Sequence, residues 1–225
     1  MNSISVVVPT LNEAESIEKC LAALQDLREL GHEVIVVDGD SDDATCTLAE
    51  PLADKVLTTK RGRAKQLNYG VKQASGNYYF FLHADTLIND MVVRELLELS
   101  KSESEWGRFD VQLSGEHCLY RLIEFCMNTR SRLTGIATGD QGMFCEKKLF
   151  EAVEGFPDIE LMEDITLSGN LKNIKPPICS RVKVTTSSRR WEKDGIVKTV
   201  FKMFLFRLRY ALGAKPEKLA REYDG

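Results

Sequence analysis

Within the first hundred residues, short runs rich in β-branched and aromatic side chains alternate with segments whose apolar positions recur every three or four residues. A chain patterned this way builds βαβ units: the short runs pair as a parallel sheet and the periodic segments cover it. Residues 4–8 form the first predicted strand. Ile17, Cys20, Leu21, Leu24 and Leu27 then share one helix face, which Gly31 terminates. Residues 34–37 make a second strand, followed by an acidic turn and a short helix at 43–49. A third strand covers 55–58, a helix covers 64–73 and closes at Ser75 and Gly76, and a fourth strand covers 78–82. Beyond Asp90 the alternation loosens into a helix at 92–100, a strand at 108–113 and a helix from 116 to about 133. A glycine-marked stretch at 135–142 then leads into 143–145. No repeat or low-complexity linker interrupts the pattern, so residues 1–195 are expected to form one domain and 196–225 a separate helical tail.

The charge balance excludes one class of function. Among 225 residues, 30 are Lys or Arg and 34 are Asp or Glu, a net charge of −4, whereas a general nucleic-acid binder needs a concentrated positive field. Residues 189–225 nevertheless hold ten cations against five acids, a local +5 that can meet something anionic. The six cysteines show neither C-x-x-C spacing nor a His at metal-ligand distance in sequence. They read as reduced thiols of a cytoplasmic protein, and the N-terminus has no signal-peptide pattern.

Polar residues gather where the predicted strands end: Pro9 to Glu13 after the first, Asp38 to Asp43 after the second, and His83, Ala84 and Asp85 after the fourth. In an open parallel sheet these carboxyl ends line one crevice, where ligands bind. Capping of the following helices is the alternative use of such residues. Neither G-x-G-x-x-G nor G-x-x-x-x-G-K-[ST] is present, which disfavours a dinucleotide site and excludes a standard phosphate loop. A polyanionic ligand in an acidic crevice then requires a divalent cation. Asp85, a hard oxygen donor at a strand end, suits Mg2+ or Mn2+.

The runs V-V-V-P-T-L-N-E, V-V-D-G-D-S-D-D-A-T, R-G-R-A-K-Q-L-N-Y-G, F-L-H-A-D and M-E-D-I-T-L, in this order, resemble the family 2 glycosyltransferases. The resemblance implies a GT-A-like, Rossmann-like α/β fold with a mainly parallel sheet flanked by helices. It also implies a nucleoside-diphosphate-sugar donor, most commonly a UDP-sugar. The first two motifs imply Pro9, Glu13 and Asp38 as donor contacts, with Asp40 and Ser41 adjoining them, and the third implies Arg63 and Asn68 near the donor. The family's D-x-D metal motif carries over to Asp85, with Ala84 beside the donor. His83 stands in place of the first Asp, either as a ligand, for which imidazole suits Mn2+ better than Mg2+, or as a hydrogen-bonded structural group. Some relatives supply a further His late in the domain; here His117 is the last, so that ligand is missing or replaced.

Glu163 and Asp164 match the family's catalytic E-D pair. Inversion at an anomeric carbon needs a carboxylate to accept the proton of the attacking hydroxyl. The resemblance gives that role to Asp164 and leaves Glu163 to orient the acceptor. Arg189, Arg190 and Trp191, read as a loop, faintly resemble part of the Q-x-x-R-W of processive synthases. They offer forked diphosphate contacts and a stacking ring, or else a surface charge cluster. The tail helix at 196–212 carries four cations, too many for a membrane span of about 20 apolar residues. It is expected either to lie in an inner-membrane interface, near a lipid-linked acceptor, or to pack on the domain or in a homodimer. The expected function is inverting, metal-assisted glycosyl transfer to a hydroxyl acceptor. The alternatives are a non-catalytic sugar-nucleotide-binding module and a nucleotidyltransferase.

Overall fold

Strands β1 (Ile4–Thr10), β2 (Glu33–Asp38), β3 (Lys55–Thr58) and β4 (Tyr78–Phe81) pair in parallel in the order β3-β2-β1-β4. They belong to a computed structural model that describes residues 3–102 and 105–224; Met1, Asn2 and Gly225, at the ends of the expected segments, lie outside the described residues. Alternating side chains of these strands enter two separate cores. Val6, Val8, Tyr78 and Phe80 pack under helices α1 (Ile17–Ala22), α2 (Gln25–Glu29) and α3 (Thr45–Ala49). Val7, Ile35, Tyr79 and Phe81 meet α4 (Arg63–Gln73) on the other face. Gly70 lets α4 settle onto the sheet, since a Cβ there would stand 2.5 Å from Val7 and 2.9 Å from Val37.

The single helix expected across 17–27 is broken in two. Leu21, Leu24 and Leu27 are all fully buried, and their spacing of three fits a tight turn better than an α-helix. The Leu24 N–H accordingly donates to Leu21 O, three residues back, at 3.0 Å.

The second half adds β5 (Thr86–Leu87), α5 (Asp90–Leu99), β6 (Trp106–Leu113), α6 (Cys118–Thr134), β7 (Met143–Glu146), α7 (Lys147–Ala152), α8 (Glu163–Ile174) and β8 (Ile178–Thr186). The eight-stranded order is β3-β2-β1-β4-β7-β6-β8-β5, in which β7 and β5 run against their neighbours. Strand β8 is absent from the sequence expectation, although Ser180, Val184 and Thr186 are buried between exposed Arg181 and Lys183 with the period of a half-covered strand. Arg189 to Trp191, expected in a loop, begin helix α9 (Arg189–Asp194). Ser188 Oγ donates to Glu192 Oε1 at 2.6 Å and shares a 3.1 Å hydrogen bond with Ser114 Oγ, which ties that helix to the turn after β6.

The expected tail helix is α10 (Ile196–Ala211), and α11 (Pro216–Asp224) folds back on it. Ile196 and Met203 pack on Trp191, Tyr120 and Leu113, while Tyr210 Oη lies 2.6 Å from Thr166 Oγ1 of α8. Lys202 donates to Tyr223 O at 2.9 Å and Arg209 pairs with Glu222, so two tail cations hold α11. The opposite face of α10 is apolar and open: Val197 is 76% exposed, Phe201 65%, Phe204 63% and Leu212 79%. Among the described residues, no helix is long and apolar enough to cross a membrane.

One buried ionic group ties β6 to α6 and β8. Arg108 on β6 is fully enclosed, donating to Asp110, to Ser131 Oγ at 2.9 Å and to the carbonyls of Asn128 and Ser180. Arg132 grips the same Asp110 at 2.7 and 2.8 Å. Burial by itself would raise the Asp110 pKa, but the bonds from Arg132 and Arg108 outweigh it and hold the carboxyl below its ordinary range. The native state therefore gains stability above the unfolded carboxyl pKa of about 4 and loses it as pH falls further. Replacing Asp110 with Asn leaves Arg108 buried without its counter-charge and is expected to cost about 3–5 kcal/mol. Urea denaturation should also show a shallower loss of stability between neutral pH and about pH 3 in Asp110→Asn than in wild type.

Candidate functional site

The carboxyl ends of β1 and β2 are tied together before any ligand is considered. Gln66 of α4, itself buried, donates to Thr10 O at 2.7 Å, which also accepts from Gly39 N at 2.9 Å, and to Val37 O at 2.8 Å. Asp38, 1% exposed, accepts from Thr10 Oγ1 at 3.0 Å, from Ser41 N at 2.7 Å and from Ser41 Oγ at 2.5 Å. Its carboxylate shapes the turn that holds Asp40 at φ +70, and Ser41 Oγ accepts from Asn12 N at 2.8 Å. Pro9 lies within β1, paired with Val37 across the sheet.

Beyond these turns opens a cavity of about 730 Å³. Of the residues expected at the site, Glu13, Arg63, His83, Asp85, Asp164, Arg189, Arg190 and Trp191 line it together. Pro9, Asp38, Asp40, Ser41, Asn68, Ala84 and Glu163 do not reach its lining. Asn68 has turned away, with both ends of its amide bonded to the Phe156 backbone at 2.7 and 3.0 Å. Ala84 is buried in the core beneath the strand end.

Asp164 sits in the first turn of α8, following Met162, which adopts a left-handed φ of +70. Its Oδ2 accepts from Gly139 N at 2.8 Å and its Oδ1 from Ile165 N at 2.7 Å, so the carboxylate is fixed in orientation at the cavity wall. Glu163 points the other way, 1% exposed, and accepts from Arg63 Nη1 at 3.1 Å. Burial raises its pKa while Arg63 opposes that rise. Glu163 thus holds the Arg63 guanidinium from behind, and it is Arg63 that meets the cavity. The two acids of the pair stand back to back.

His83 packs against Gly139, where an added Cβ would lie 2.4 Å from Nε2. Burial pushes the imidazole pKa down to about 3, with the charge of Arg63 adding to the effect. It is neutral and suited to donating a lone pair, not a proton. Asp85 shows the converse: burial and then the negative charge of Glu13 raise its pKa, Asp140 adds to the rise, and Arg189 and Arg63 offset it only in part. Asp140 itself has a buried Oδ1 without a hydrogen-bond partner. An excess of negative charge and an orphaned carboxylate oxygen are what a divalent cation would relieve. Among the described residues no group of three or more His, Cys, Asp or Glu converges as a complete metal cage. Mg2+ needs none, since it usually binds one or two carboxylates together with phosphate oxygens and water.

The remaining walls come from the tail. Arg189 pairs with Glu13 at 3.3 Å and Glu15 at 3.4 Å, linking α9 to the loop after β1. The Arg190 guanidinium lies 4.4 Å from the Tyr223 ring centroid. Trp191 is 7% exposed and packs in the Tyr120 and Leu113 cluster, so most of its ring is core and only an edge faces the cavity. Met203, Phe206, Arg207 and Tyr223 complete the wall. The sequence reading missed these four, together with Asp140 and the Thr138 to Gly139 turn, while Asn12 lies in the strand-end cluster it placed at the crevice. The glycine-marked A-T-G-D-Q stretch was a readable signal for Asp140; nothing local marks the inner face of α10 as part of a site.

A model of glycosyl transferase family 2 matches residues 5–137, more than half of the chain. The chain belongs to that family. This family 2 chain is 32% identical over 109 residues to the dolichol-phosphate mannosyltransferase of Pyrococcus furiosus, covering 45% of itself and 31% of that protein. It is 26% identical over 189 residues to the poly-beta-1,6-N-acetyl-D-glucosamine synthase of Staphylococcus aureus, covering 76% of itself and 46% of the synthase. The chain therefore spans less than half the length of these two curated relatives. In structure it resembles S. aureus TarS, with a TM-score of 0.67, 19% identity and coverage of 82% of this chain and 36% of TarS. It also resembles the Pyrobaculum calidifontis mannosyltransferase PcManGT in complex with GDP-Man and Mn2+, with a TM-score of 0.61, 23% identity and coverage of 82% and 56%. The fold is GT-A, as the sequence motifs implied.

The contact between Gly139 and His83 makes the site sensitive to one methyl group. In this family 2 chain, Gly139→Ala is expected to push the imidazole aside and cost about 1–3 kcal/mol in urea denaturation. Gly169, mid-helix with nothing within 4 Å of an added Cβ, is the control. There the Ala variant should gain about 0.5–1 kcal/mol.

Proposed function

We propose that the protein transfers a sugar from a nucleoside-diphosphate donor to a hydroxyl acceptor with inversion, and that Asp164 is the general base. The observation that carries this reading is the Asp164 carboxylate, fixed by two backbone N–H groups in the same cavity as Asp85, Arg63 and the strand-end turns. As the acceptor oxygen bonds to the anomeric carbon, the bond to the diphosphate oxygen breaks on the opposite face and the hydroxyl proton passes to Asp164. Arg63, held by Glu163, offers a charged donor to the diphosphate. His83 stays neutral beside it. A divalent cation, Mg2+ or Mn2+, would be held by Asp85, with His83 or Asp140 beside it, and would supply neutralisation of the leaving diphosphate.

A UDP-sugar is the favoured donor. TarS has been captured with UDP-GlcNAc and PcManGT with GDP-Man, so both bases occur among structures of this fold. All six cysteines are free, in keeping with a reducing cytoplasmic setting. The open face of α10 would lie against the inner membrane, where a lipid-linked acceptor resides. Its support is the apolar stripe of Val197, Phe201, Phe204 and Leu212, with Lys198 exposed beside it. Lys202 and Arg209, two of the four tail-helix cations, are engaged by α11, so apolar insertion dominates and salt should weaken binding only modestly.

Asp164→Asn should lower transfer roughly 100-fold or more while donor affinity stays within a few-fold; Asp85→Ala should instead lose metal-dependent donor binding. Calorimetric titration of UDP with Mn2+ and a product assay on both variants check this. Donor bound without transfer or hydrolysis by wild type would identify a binding module, and pyrophosphate exchange would identify a nucleotidyltransferase. For the membrane face, co-sedimentation with anionic vesicles should be abolished by Phe204→Glu. A shift in solution mass in that variant, with no vesicle binding by wild type, would mean that the face closes a homodimer.

A further inference from the structure

The start of α8, which carries Asp164, is held from three directions. The segment before β7 supplies one support: Gly139 N donates to Asp164 Oδ2 at 2.8 Å, and Ala137 N donates to Ser168 Oγ, one turn further along, at 3.1 Å. Arg63 of α4 supplies the second, through buried Glu163 at 3.1 Å. The third comes from the tail. Tyr210 Oη of α10 lies 2.6 Å from Thr166 Oγ1, and Thr166 Oγ1 donates to Met162 O at 2.8 Å. A threonine hydroxyl has one proton, and that of Thr166 goes to Met162, so Tyr210 is the donor of the 2.6 Å bond. The chain of bonds therefore runs one way, from the tail helix through Thr166 to the Met162 carbonyl.

Met162 is the point at which α8 needs support. It is the N-cap, with a left-handed φ of +70 that a residue bearing a Cβ adopts only at a cost. Its conformation sets the direction in which the helix starts, and with it where Glu163 and Asp164 point. Its carbonyl accepts twice from Thr166, from the backbone N at 3.0 Å and from Oγ1. A threonine bonded to the carbonyl four residues back is common in helices. What is particular here is the second hydroxyl, which reaches Thr166 from 44 residues away.

We infer that Tyr210 and Thr166 are positioning residues for the base, and that α10 thereby supports Asp164 as well as walling the cavity. This rests on the transferase reading above. Neither hydroxyl belongs to a residue that lines the cavity, so both act through the Met162 turn and not on substrate. Alignment is what such a support provides, since misplacing a catalytic group by about 1 Å can cost about 100-fold in rate.

The test compares wild type with Thr166→Val, Thr166→Ser, Tyr210→Phe and the Thr166→Val/Tyr210→Phe double variant. Amide hydrogen exchange is read by NMR at Gly139 and Ile165, the two N–H groups that bond the Asp164 carboxylate. Exchange there should quicken by about tenfold or more in Thr166→Val and Tyr210→Phe, while amides of β1 and β2 keep their protection. Thr166→Ser retains the hydroxyl and should keep wild-type exchange. Hydrolysis of UDP-GlcNAc and of GDP-Man with Mn2+, water standing in for the acceptor hydroxyl, gives the second readout. In Thr166→Val, kcat should fall by about tenfold or more with KM for the donor within about threefold, and Thr166→Ser should restore it. The double variant should be no slower than Thr166→Val alone, because both substitutions break one chain. Protection at Gly139 and Ile165 within about twofold of wild type in both single variants overturns the proposal. So does a loss spread equally over β1 and β2, which is general destabilisation, and so does unchanged turnover in an enzyme that Asp164→Asn inactivates. Full activity of Asp164→Asn, or hydrolysis of neither donor by wild type, counts instead against the transferase reading, and the exchange measurement still decides whether the two hydroxyls hold the carboxylate.

Discussion

Strands β1, β2 and β4 are covered on both faces, and the rest of the molecule follows from that burial. Side chains between Ile4 and Val8 and between Val34 and Val37 have no exposure to water, so a charge placed among them would cost several kcal/mol without a partner. Polar chemistry is therefore confined to the carboxyl ends. There the chain turns, and Glu13 and Asp85 reach one cavity while buried Asp38 braces the turn after β2. Gln66 secures this edge by bonding the carbonyls that end β1 and β2, so the turns that shape the crevice are as rigid as the sheet beneath them.

Charge in the cavity is arranged by which groups are paired and which are not. Glu163 holds Arg63 and Glu13 holds Arg189, which leaves negative charge in excess around Asp85 and Asp140. Asp164 lines the same cavity, fixed by Gly139 and Ile165. Asp140 keeps a buried carboxylate oxygen without a partner, a desolvation cost that the rest of the fold carries.

Helix α10 has two apolar faces with different uses. Its inner face, through Phe206 and Met203, closes the cavity, while the outer stripe from Val197 to Leu212 stays open. Because one helix carries both, anything that binds outside is close to the cavity wall. The tail is thus a part of the site as well as an appendage to the domain.

The alternation of β-rich runs and helical periods was enough to determine the parallel half of the sheet, since local burial on both faces leaves few other solutions for such runs. The same reading put Glu13, His83 and Asp85 at strand ends and the family motifs added Arg63 and Asp164; all five line one cavity, because residues at strand and helix ends are positioned by the elements they terminate. It did not reveal β8, whose alternation was present but weak, nor the break at Leu24, where a spacing of three outweighed helical continuity. What only the tertiary structure decided were the contacts between distant segments. Asn68 was turned to Phe156, Glu163 was placed behind Arg63, Trp191 was drawn into the core, and Asp140 and Arg207 were brought to one cavity. None of these follows from local pattern, because each depends on how helices separated by tens of residues pack against the sheet and on which charges that packing leaves without a partner.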